Sequence, residues 1–189
     1  MRSTIIKKIF RVFSSAILLN LILITNAIAL GGVTHQAINS YIADENSAIY
    51  GSYLHSYLKN NLGMQDGVKT LFNSKMAKEY ISDGGKEEDA GARSLNHFLN
   101  PITNQGLLGN YSALQWATLP VGVQPLAPIS SWNDVRSYYY LALTSKDKTT
   151  RDDNFALTFQ GVGQAMHLVE DMSMPAHTRN KQLISNLEV

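Results

Sequence analysis

The sequence predicts an all-α protein, and three observations support this fold class. After about residue 30, apolar residues recur at helical spacing through most of the chain. Residues that typically begin and end helices, such as serine, glycine and proline, separate these segments. The sequence contains no apolar–polar alternation of useful length, no internal repeat and no low-complexity tract.

Residues 1–29 are expected to be a cleaved signal peptide. A basic beginning is followed by an apolar stretch, and Ala27 and Ala29 place small residues where a signal peptidase reads them. The alternative is an uncleaved membrane anchor, because the apolar run approaches the length that spans a bilayer. The basic residues of this segment are Arg2, Lys7, Lys8 and Arg11.

Cleavage after Ala29 would leave residues 30–189, the size of one ordinary domain. This part has twelve basic and fifteen acidic residues, and its net charge is therefore −3. Such a mildly acidic chain lacks the basic stripe expected of a nucleic-acid-binding protein. It also has no cysteine, so an exported chain of this kind must be held by its apolar core or by a metal.

Three helices are expected in the first half of the domain. Thr34 stands in a capping position for the first helix, and Gly63 suits the residue that follows the end of the second. Gly84 and Gly85 are expected to close the third helix. The three predicted helices span residues 34–45, 47–63 and 67–85.

The second half begins with a polar loop and a short apolar segment that stops at Pro101. Residues 101–130 hold four of the five prolines and are expected to form a long irregular connection. Ser130 or Ser131 can cap a helix that starts at Trp132. The last helix is expected over residues 152–172.

The end of this last helix carries the first candidate site. His167 and Asp171 are four residues apart, so they face the same way one turn apart. Pro175 should end the helix, and the turn should bring His177 back to the same region. Imidazole nitrogen and carboxylate oxygen suit zinc. The alternative is a buried His–Asp hydrogen bond inside a helix bundle.

Other segments offer further candidate ligands. His97 follows an acidic run, and His35 lies near the expected mature N-terminus. His55 has no acidic residue nearby in the sequence and is interpreted as a structural or a surface residue rather than a ligand. The acidic run contains Asp83, Glu87, Glu88 and Asp89, of which Glu87 and Glu88 are interpreted as part of a solvated loop.

The stretch HLVEDMSMPAHTRN resembles the signature of the bacterial zinc-dependent phospholipase C family, which shares a superfamily with single-strand nucleases. The matching positions are His167, Asp171, Pro175, His177 and Asn180. The segments NHFLNP and LGGVTH are also similar to segments of that family. The chain departs from the pattern at Leu168, where an aromatic residue is usual, at Glu170, where a small one is usual, and at Leu99, which replaces a tyrosine.

This resemblance implies an all-α bundle around three zinc ions that hydrolyses phosphodiester or phospholipid ester bonds. The first zinc ion would be held by His97, His167, Asp171 and one upstream carboxylate. Asp171 would bridge to a second ion, held by His35 and by the backbone amine and carbonyl of Leu30. His177 would belong to the third ion.

The upstream carboxylate is either Asp89 or Asp83, with Asp89 preferred. Whichever residue serves is also the candidate catalytic group, since it would orient the attacking water or accept its proton. The third zinc ion needs a histidine and a glutamate after His177, and only Glu188 remains there. Two zinc sites are therefore expected, with a third incomplete, in a domain that is incomplete at its C-terminal end and weakened in activity.

The function expected from the resemblance is a secreted or periplasmic hydrolase of phospholipids or other phosphodiesters, acting at a membrane surface. One alternative is a single-strand nuclease, in which Tyr138, Tyr139 and Tyr140 would stack on bases. The net charge and the segment NHFLNP favour the phospholipase, and two of the three tyrosines are expected to pack in the core. The other alternative is a non-catalytic helical domain that binds zinc.

Overall fold

A computed structural model describes residues 30–48, 51–125 and 130–178. The predicted signal peptide, Asn180 and Glu188 lie outside the described residues. Within the described part, the chain forms seven α-helices and one short β-hairpin. These elements are α1 (Gly32–Ala43), α2 (Gly51–Leu62), β1 (Leu71–Phe72), β2 (Lys75–Met76), α3 (Ala77–Glu87), α4 (Ala113–Ala117), α5 (Trp132–Thr144), α6 (Lys148–Ser173) and α7 (Pro175–Thr178).

Helix α6, with 26 residues, is the element around which the others pack. Helices α3 and α5 make their most extensive contacts with α6, and α1 packs on α3. The main apolar core fills the space between these helices and the hairpin. Its largest members include Leu58, Met64, Val68, Phe72, Ile81, Phe155 and Phe159. The predicted all-α class is confirmed, since the two strands of the hairpin have only two residues each.

A smaller apolar cluster joins the connection after residue 101 to the end of α6. The buried indole of Trp116, on α4, packs there with Leu119 and with Leu168 of α6. This cluster fixes the C-terminal part of α6, which carries the candidate ligands. No helix among the described residues has both the length and the apolarity needed to cross a membrane.

The single helix predicted over residues 67–85 is wrong in its first half. A 3₁₀ turn at Gly67–Lys69 leads into the β-hairpin, and α3 starts only at Ala77. Asn73 and Ser74, between the strands, both have positive φ angles, of 49° and 67°. Such a two-residue turn reverses the chain and joins two antiparallel strands.

The predicted stop at Gly84 and Gly85 is also wrong, because α3 continues through both glycines to Glu87. These glycines permit close packing rather than a turn. A Cβ atom on Gly84 would lie 2.1 Å from the carbonyl oxygen of Gln160, and one on Gly85 would lie 2.3 Å from the amide nitrogen of Asn39. Helices α6 and α1 therefore approach α3 more closely than any other residue would allow.

Capping explains most of the remaining boundaries. Ser131 caps α5, as predicted, and its hydroxyl accepts a hydrogen bond from the Asp134 N–H. Ser112 caps the short helix α4 in the same way, and this helix lies within the connection that was predicted to be irregular throughout. Thr34 does not cap α1, which begins two residues earlier with Gly31 at the N-cap.

The boundaries of α2 and α6 agree in part with the predictions. Helix α2 ends before Gly63, whose φ angle of 69° is that of a glycine following a helix. Helix α6 starts four residues earlier than predicted, because Asp147 accepts a hydrogen bond from the Thr150 N–H and caps it. It ends at Ser173, and Pro175 begins α7.

Replacing Gly84 with alanine should destabilise the protein by about 1–3 kcal/mol, because the new methyl group meets a backbone carbonyl that cannot rotate away. Urea denaturation followed by circular dichroism would measure the change. The matched control is Lys86→Ala, at an exposed position of the same helix, which should stay within about 0.5 kcal/mol of the wild type. Equal stability of G84A and the control would contradict this account of the α3–α6 contact.

Candidate metal centre

Asp171 is fully buried, and four histidines surround its carboxylate. Its Oδ2 atom lies 2.9 Å from His97 Nδ1 and 3.0 Å from His167 Nε2. Its Oδ1 atom lies 3.0 Å from His177 Nδ1 and 3.2 Å from His35 Nε2. All four imidazoles are themselves buried. We call Asp171 and these four histidines the histidine cluster.

Four parts of the fold supply the cluster. His35 lies in the first turns of α1, and His97 follows the 3₁₀ segment Gly91–Asn96. His167 and Asp171 project from one face of α6, as their spacing predicts. Pro175 starts α7 and so turns the chain after α6, which places His177 beside Asp171. His35 and Asp171 thus come within 3.2 Å of each other from distant parts of the chain.

The outer nitrogens of two histidines are held by acceptors. His167 Nδ1 donates to the carbonyl oxygen of Gly85 at 2.6 Å, and His35 Nδ1 donates to Glu170 Oε2 at 2.5 Å. A carbonyl or carboxylate oxygen can only accept, so Nδ1 carries the proton in both rings. In the neutral tautomer, the Nε2 lone pairs therefore point into the cluster, which is how metal-binding histidines are commonly oriented.

Several inward-facing atoms have no hydrogen-bond partner of acceptable geometry within the described part of the chain. They are His35 Nε2, His177 Nδ1 and Asp171 Oδ1, although they lie close together. Buried polar atoms without partners are rare, and each one calls for an explanation such as a bound ion. A cation between these lone pairs would satisfy all of them.

The spacing of the ligand atoms also suits an ion. His97 Nδ1, His167 Nε2 and Asp171 Oδ2 form a triangle with sides of 2.9, 3.0 and 3.2 Å. Ligands bound to one ion at about 2.1 Å with tetrahedral angles stand about 3.4 Å apart. The buried histidine and aspartate side chains could therefore hold a metal ion.

The structure brings Asp89, and not Asp83, to the histidine cluster. Asp89 Oδ1 lies 3.6 Å from both His97 Nδ1 and His167 Nε2, and Asp89 forms a second potential ligand group with His35 and His167. The carboxylate of Asp83 is held elsewhere, by the side chains of Gln36 and Lys75. Gln36 donates to Asp83 Oδ1 at 2.8 Å.

Asp89 is also the member of this site that solvent reaches. Its side chain is 30% exposed, whereas that of Asp171 is 1% exposed. A small molecule from solution would therefore meet Asp89 first.

Leu30 and His55 take no part in the contacts of the cluster described above. Leu30 precedes α1 and is half-buried. Its predicted role depends on backbone atoms of a cleaved N-terminus, and it stays a prediction. The ring of His55 packs against Gly67, where an added Cβ atom would lie 2.5 Å from the ring nitrogen. This agrees with the interpretation of His55 as structural.

The interpretation of Glu88 as a solvated residue is wrong, because its side chain is fully buried. Its Oε2 accepts hydrogen bonds from Arg93 at 2.6 and 2.9 Å, and its Oε1 accepts one from the indole of Trp116 at 2.8 Å. Oε1 lies 3.8 Å from His97 Nε2, so this carboxylate faces the outer edge of a cluster histidine. Glu87 instead pairs with the side chain of Gln160.

Sequence reasoning missed Glu88 and Glu170 as residues of the site. Arg93 provided a local signal for Glu88, since an arginine five residues after a glutamate offers it a partner. No comparable signal exists for Glu170, whose partner His35 lies on another helix.

The buried charges shift the pKa values of the cluster. Burial lowers the pKa of His35 and of His97, but the negative charge of Asp171, together with that of Glu170 beside His35 and of Glu88 beside His97, outweighs burial and raises both pKa values to about 9. Burial raises the pKa of Asp171, but the four imidazoles around its carboxylate stabilise the charged form and hold this pKa far below its ordinary value. Without a metal, the imidazoles of His35 and His97 are therefore positively charged at neutral pH.

Comparisons of the chain with models of known protein families, with characterised proteins and with solved structures find no match. The geometry of the histidine cluster is therefore the observation that supports a metal centre.

Replacing Asp89 with alanine should weaken metal binding about 10- to 100-fold, because the variant loses an oxygen that faces two ligand nitrogens. Asp83→Ala is the matched control and should bind metal like the wild type. Competition against a chromogenic chelator would measure both affinities. The reverse order, with D83A impaired and D89A unaffected, would contradict the placement of the site.

The pH dependence of stability and of metal binding should run in opposite directions. Protonated His35 and His97 stabilise the metal-free protein fully below the unfolded-state pKa of about 6.5, and this contribution is lost as the pH rises through about 9. The Tm of chelator-treated protein should therefore fall over this window.

Metal affinity should rise over the same window, by up to about 100-fold per pH unit, because an ion must displace both protons. Thermal melts with chelator and competition titrations at several pH values would test both trends. A metal affinity independent of pH would contradict the assignment of these two histidines as protonated groups that the metal replaces.

Proposed function

We propose that the chain is an exported zinc-dependent hydrolase of phosphodiester bonds, of the phospholipase C type. One observation carries the proposal: both oxygens of a single buried carboxylate, Asp171, face histidine nitrogens, two on each oxygen. Asp171 Oδ2 with His97 and His167 could hold one metal ion, and Asp171 Oδ1 with His35 and His177 could hold a second. Paired metal ions about 4 Å apart are typical of enzymes that cleave phosphate esters.

The ligand types favour zinc over the commoner divalent cations. Calcium and magnesium prefer oxygen ligands in sets of six or more. The cluster instead offers four imidazoles around one carboxylate, with Asp89 nearby. Imidazole nitrogen with a few carboxylate oxygens is the common ligand set of zinc in hydrolases. The resemblance of residues 167–180 to the phospholipase C signature supports the same metal.

The residues around the cluster have separable roles in this proposal. Bound zinc ions lower the pKa of water and stabilise charge on phosphoryl oxygens. Asp89, the exposed carboxylate, accepts a proton from the attacking water or orients it. Gly85 holds His167 in the required tautomer, and burial of the four histidines keeps bulk water away from the ligand atoms.

The three consecutive tyrosines of α5 offer little stacking surface for single-stranded nucleic acid. Of the three consecutive tyrosines, only Tyr140 is largely exposed, whereas Tyr138 and Tyr139 are half-buried and Tyr139 packs against the core. Non-specific binding of single strands uses successive exposed aromatic rings. A phospholipid is therefore the preferred substrate class, with cleavage at a membrane surface.

The proposal predicts zinc-dependent hydrolysis of phosphatidylcholine vesicles, measured as release of the phosphorylated head group. Asp171→Asn should lower the rate by at least about 100-fold, because it removes the negative charge that would hold the metal ions among the four histidines. Activity should disappear with chelator and return with zinc. Asp83→Ala is the matched control and should keep the wild-type rate.

The same preparation should be assayed on single-stranded DNA. Cleavage of DNA without cleavage of lipid would replace the phospholipase by a nuclease. Stoichiometric zinc with no turnover on either substrate would overturn the enzymatic proposal and leave a zinc-binding domain.

A further inference from the structure

We infer that Glu170 is a positioning residue, which holds His35 as a ligand of a second metal ion on the Oδ1 side of Asp171. The inference rests on the proposed metal centre and deepens it. Glu170 precedes Asp171 on α6, and successive helical residues point about 100° apart. The carboxylate of Asp171 can therefore face the histidine cluster, while that of Glu170 contacts the outer nitrogen of His35.

The hydrogen bond between His35 and Glu170 determines which nitrogen of the ring is available to an ion. His35 Nδ1 donates to Glu170 Oε2 at 2.5 Å, and the imidazole is completely buried. The proton is therefore kept on Nδ1, and Nε2 faces Asp171 Oδ1 at 3.2 Å. A carboxylate that accepts from the outer nitrogen also makes the inner nitrogen more basic and a stronger ligand.

His35 Nε2 and Asp171 Oδ1, the two atoms that face each other inside the cluster, need a cation between them. In the neutral tautomer, the lone pair of His35 Nε2 would point at the negative Asp171 Oδ1, and neither atom has another hydrogen-bond partner among the described residues. Two buried acceptors facing each other at this distance repel unless a proton or a metal ion lies with them. The hydrogen bond that Glu170 accepts from His35 thus prepares a site that only a positive ion completes.

Glu170 is not required to attach α1 to the rest of the fold. Buried Asn39, one turn after His35, donates to the carbonyl oxygens of Ile81 and Gly163, at 3.1 and 3.0 Å. These bonds tie α1 to both α3 and α6. Loss of the Glu170 carboxylate should therefore change the orientation of the His35 ring without detaching the helix.

The test compares zinc binding by the wild type, Glu170→Ala and Glu170→Gln. Isothermal titration calorimetry should resolve a tighter and a weaker ion in the wild type. In E170A the weaker affinity should fall about 10- to 100-fold, while the tighter one changes less than about threefold. E170Q, whose amide oxygen can still accept from Nδ1, should lie between the two.

Nuclear magnetic resonance of ¹⁵N-labelled histidine gives a readout that a purely structural role would not move. The wild type should show His35 protonated at Nδ1 alone when zinc is bound, and E170A should show loss of this single tautomer. The matched control is Glu87→Ala, at a glutamate on α3 whose carboxylate accepts a hydrogen bond from the side chain of Gln160. It should keep both affinities and the wild-type spectrum.

The outcomes separate this inference from the proposed function. Two zinc ions bound by the wild type, with unchanged affinities and tautomer in E170A, would overturn the role of Glu170 alone. Equal loss of both ions together with a lower Tm would make Glu170 a structural residue and also overturn it. Two ions with the predicted E170A effect but no hydrolysis would support the inference and refute the enzymatic proposal. A wild type that binds no metal would overturn both.

Discussion

The buried carboxylate of Asp171 is the constraint on which the site depends. Removing an ionised carboxylate from water costs several kcal/mol, and the protein recovers this only where positive charge or hydrogen-bond donors meet it. Four imidazoles from α1, the segment after Gly91–Asn96, α6 and α7 supply them. The four imidazoles come from separate elements of the fold. Their contacts with Asp171 therefore fix the positions of these elements relative to one another.

Close packing of helices brings the backbone into the site. Gly84 and Gly85 of α3 lie where any Cβ atom would collide with α6 or α1, and Gly163 of α6 stands in the same relation to α3. This close approach places the Gly85 carbonyl within 2.6 Å of His167. The glycines thus contribute to the site indirectly. They allow α3 and α6 to approach so closely that the Gly85 carbonyl oxygen can orient the His167 ring.

Outer carboxylates complete the electrostatics of the cluster. Glu170 accepts from His35, and Glu88 faces His97 while pairing with Arg93 and Trp116. The second of these groups links the irregular connection to the cluster, since Gln124 accepts from Arg93 and donates to the Trp116 carbonyl. A segment with little regular structure is thereby held against the ligands by buried polar contacts, each with a defined partner.

Local features were readable from the sequence, and long-range ones were not. The spacing of His167 and Asp171, the break at Pro175 and the Ser131 cap are properties of a few neighbouring residues, so the sequence by itself determined them. The choice of Asp89 over Asp83, the burial of Glu88 and the pairing of Glu170 with His35 depend on helices that are distant in sequence. From residue type alone, Glu88 was expected to be solvated and Gly84 to end a helix, because charged residues usually lie at the surface and glycines often follow helices. Only the tertiary structure decided otherwise, since burial and close approach are set by the partner that packs against a residue and not by its neighbours in the chain.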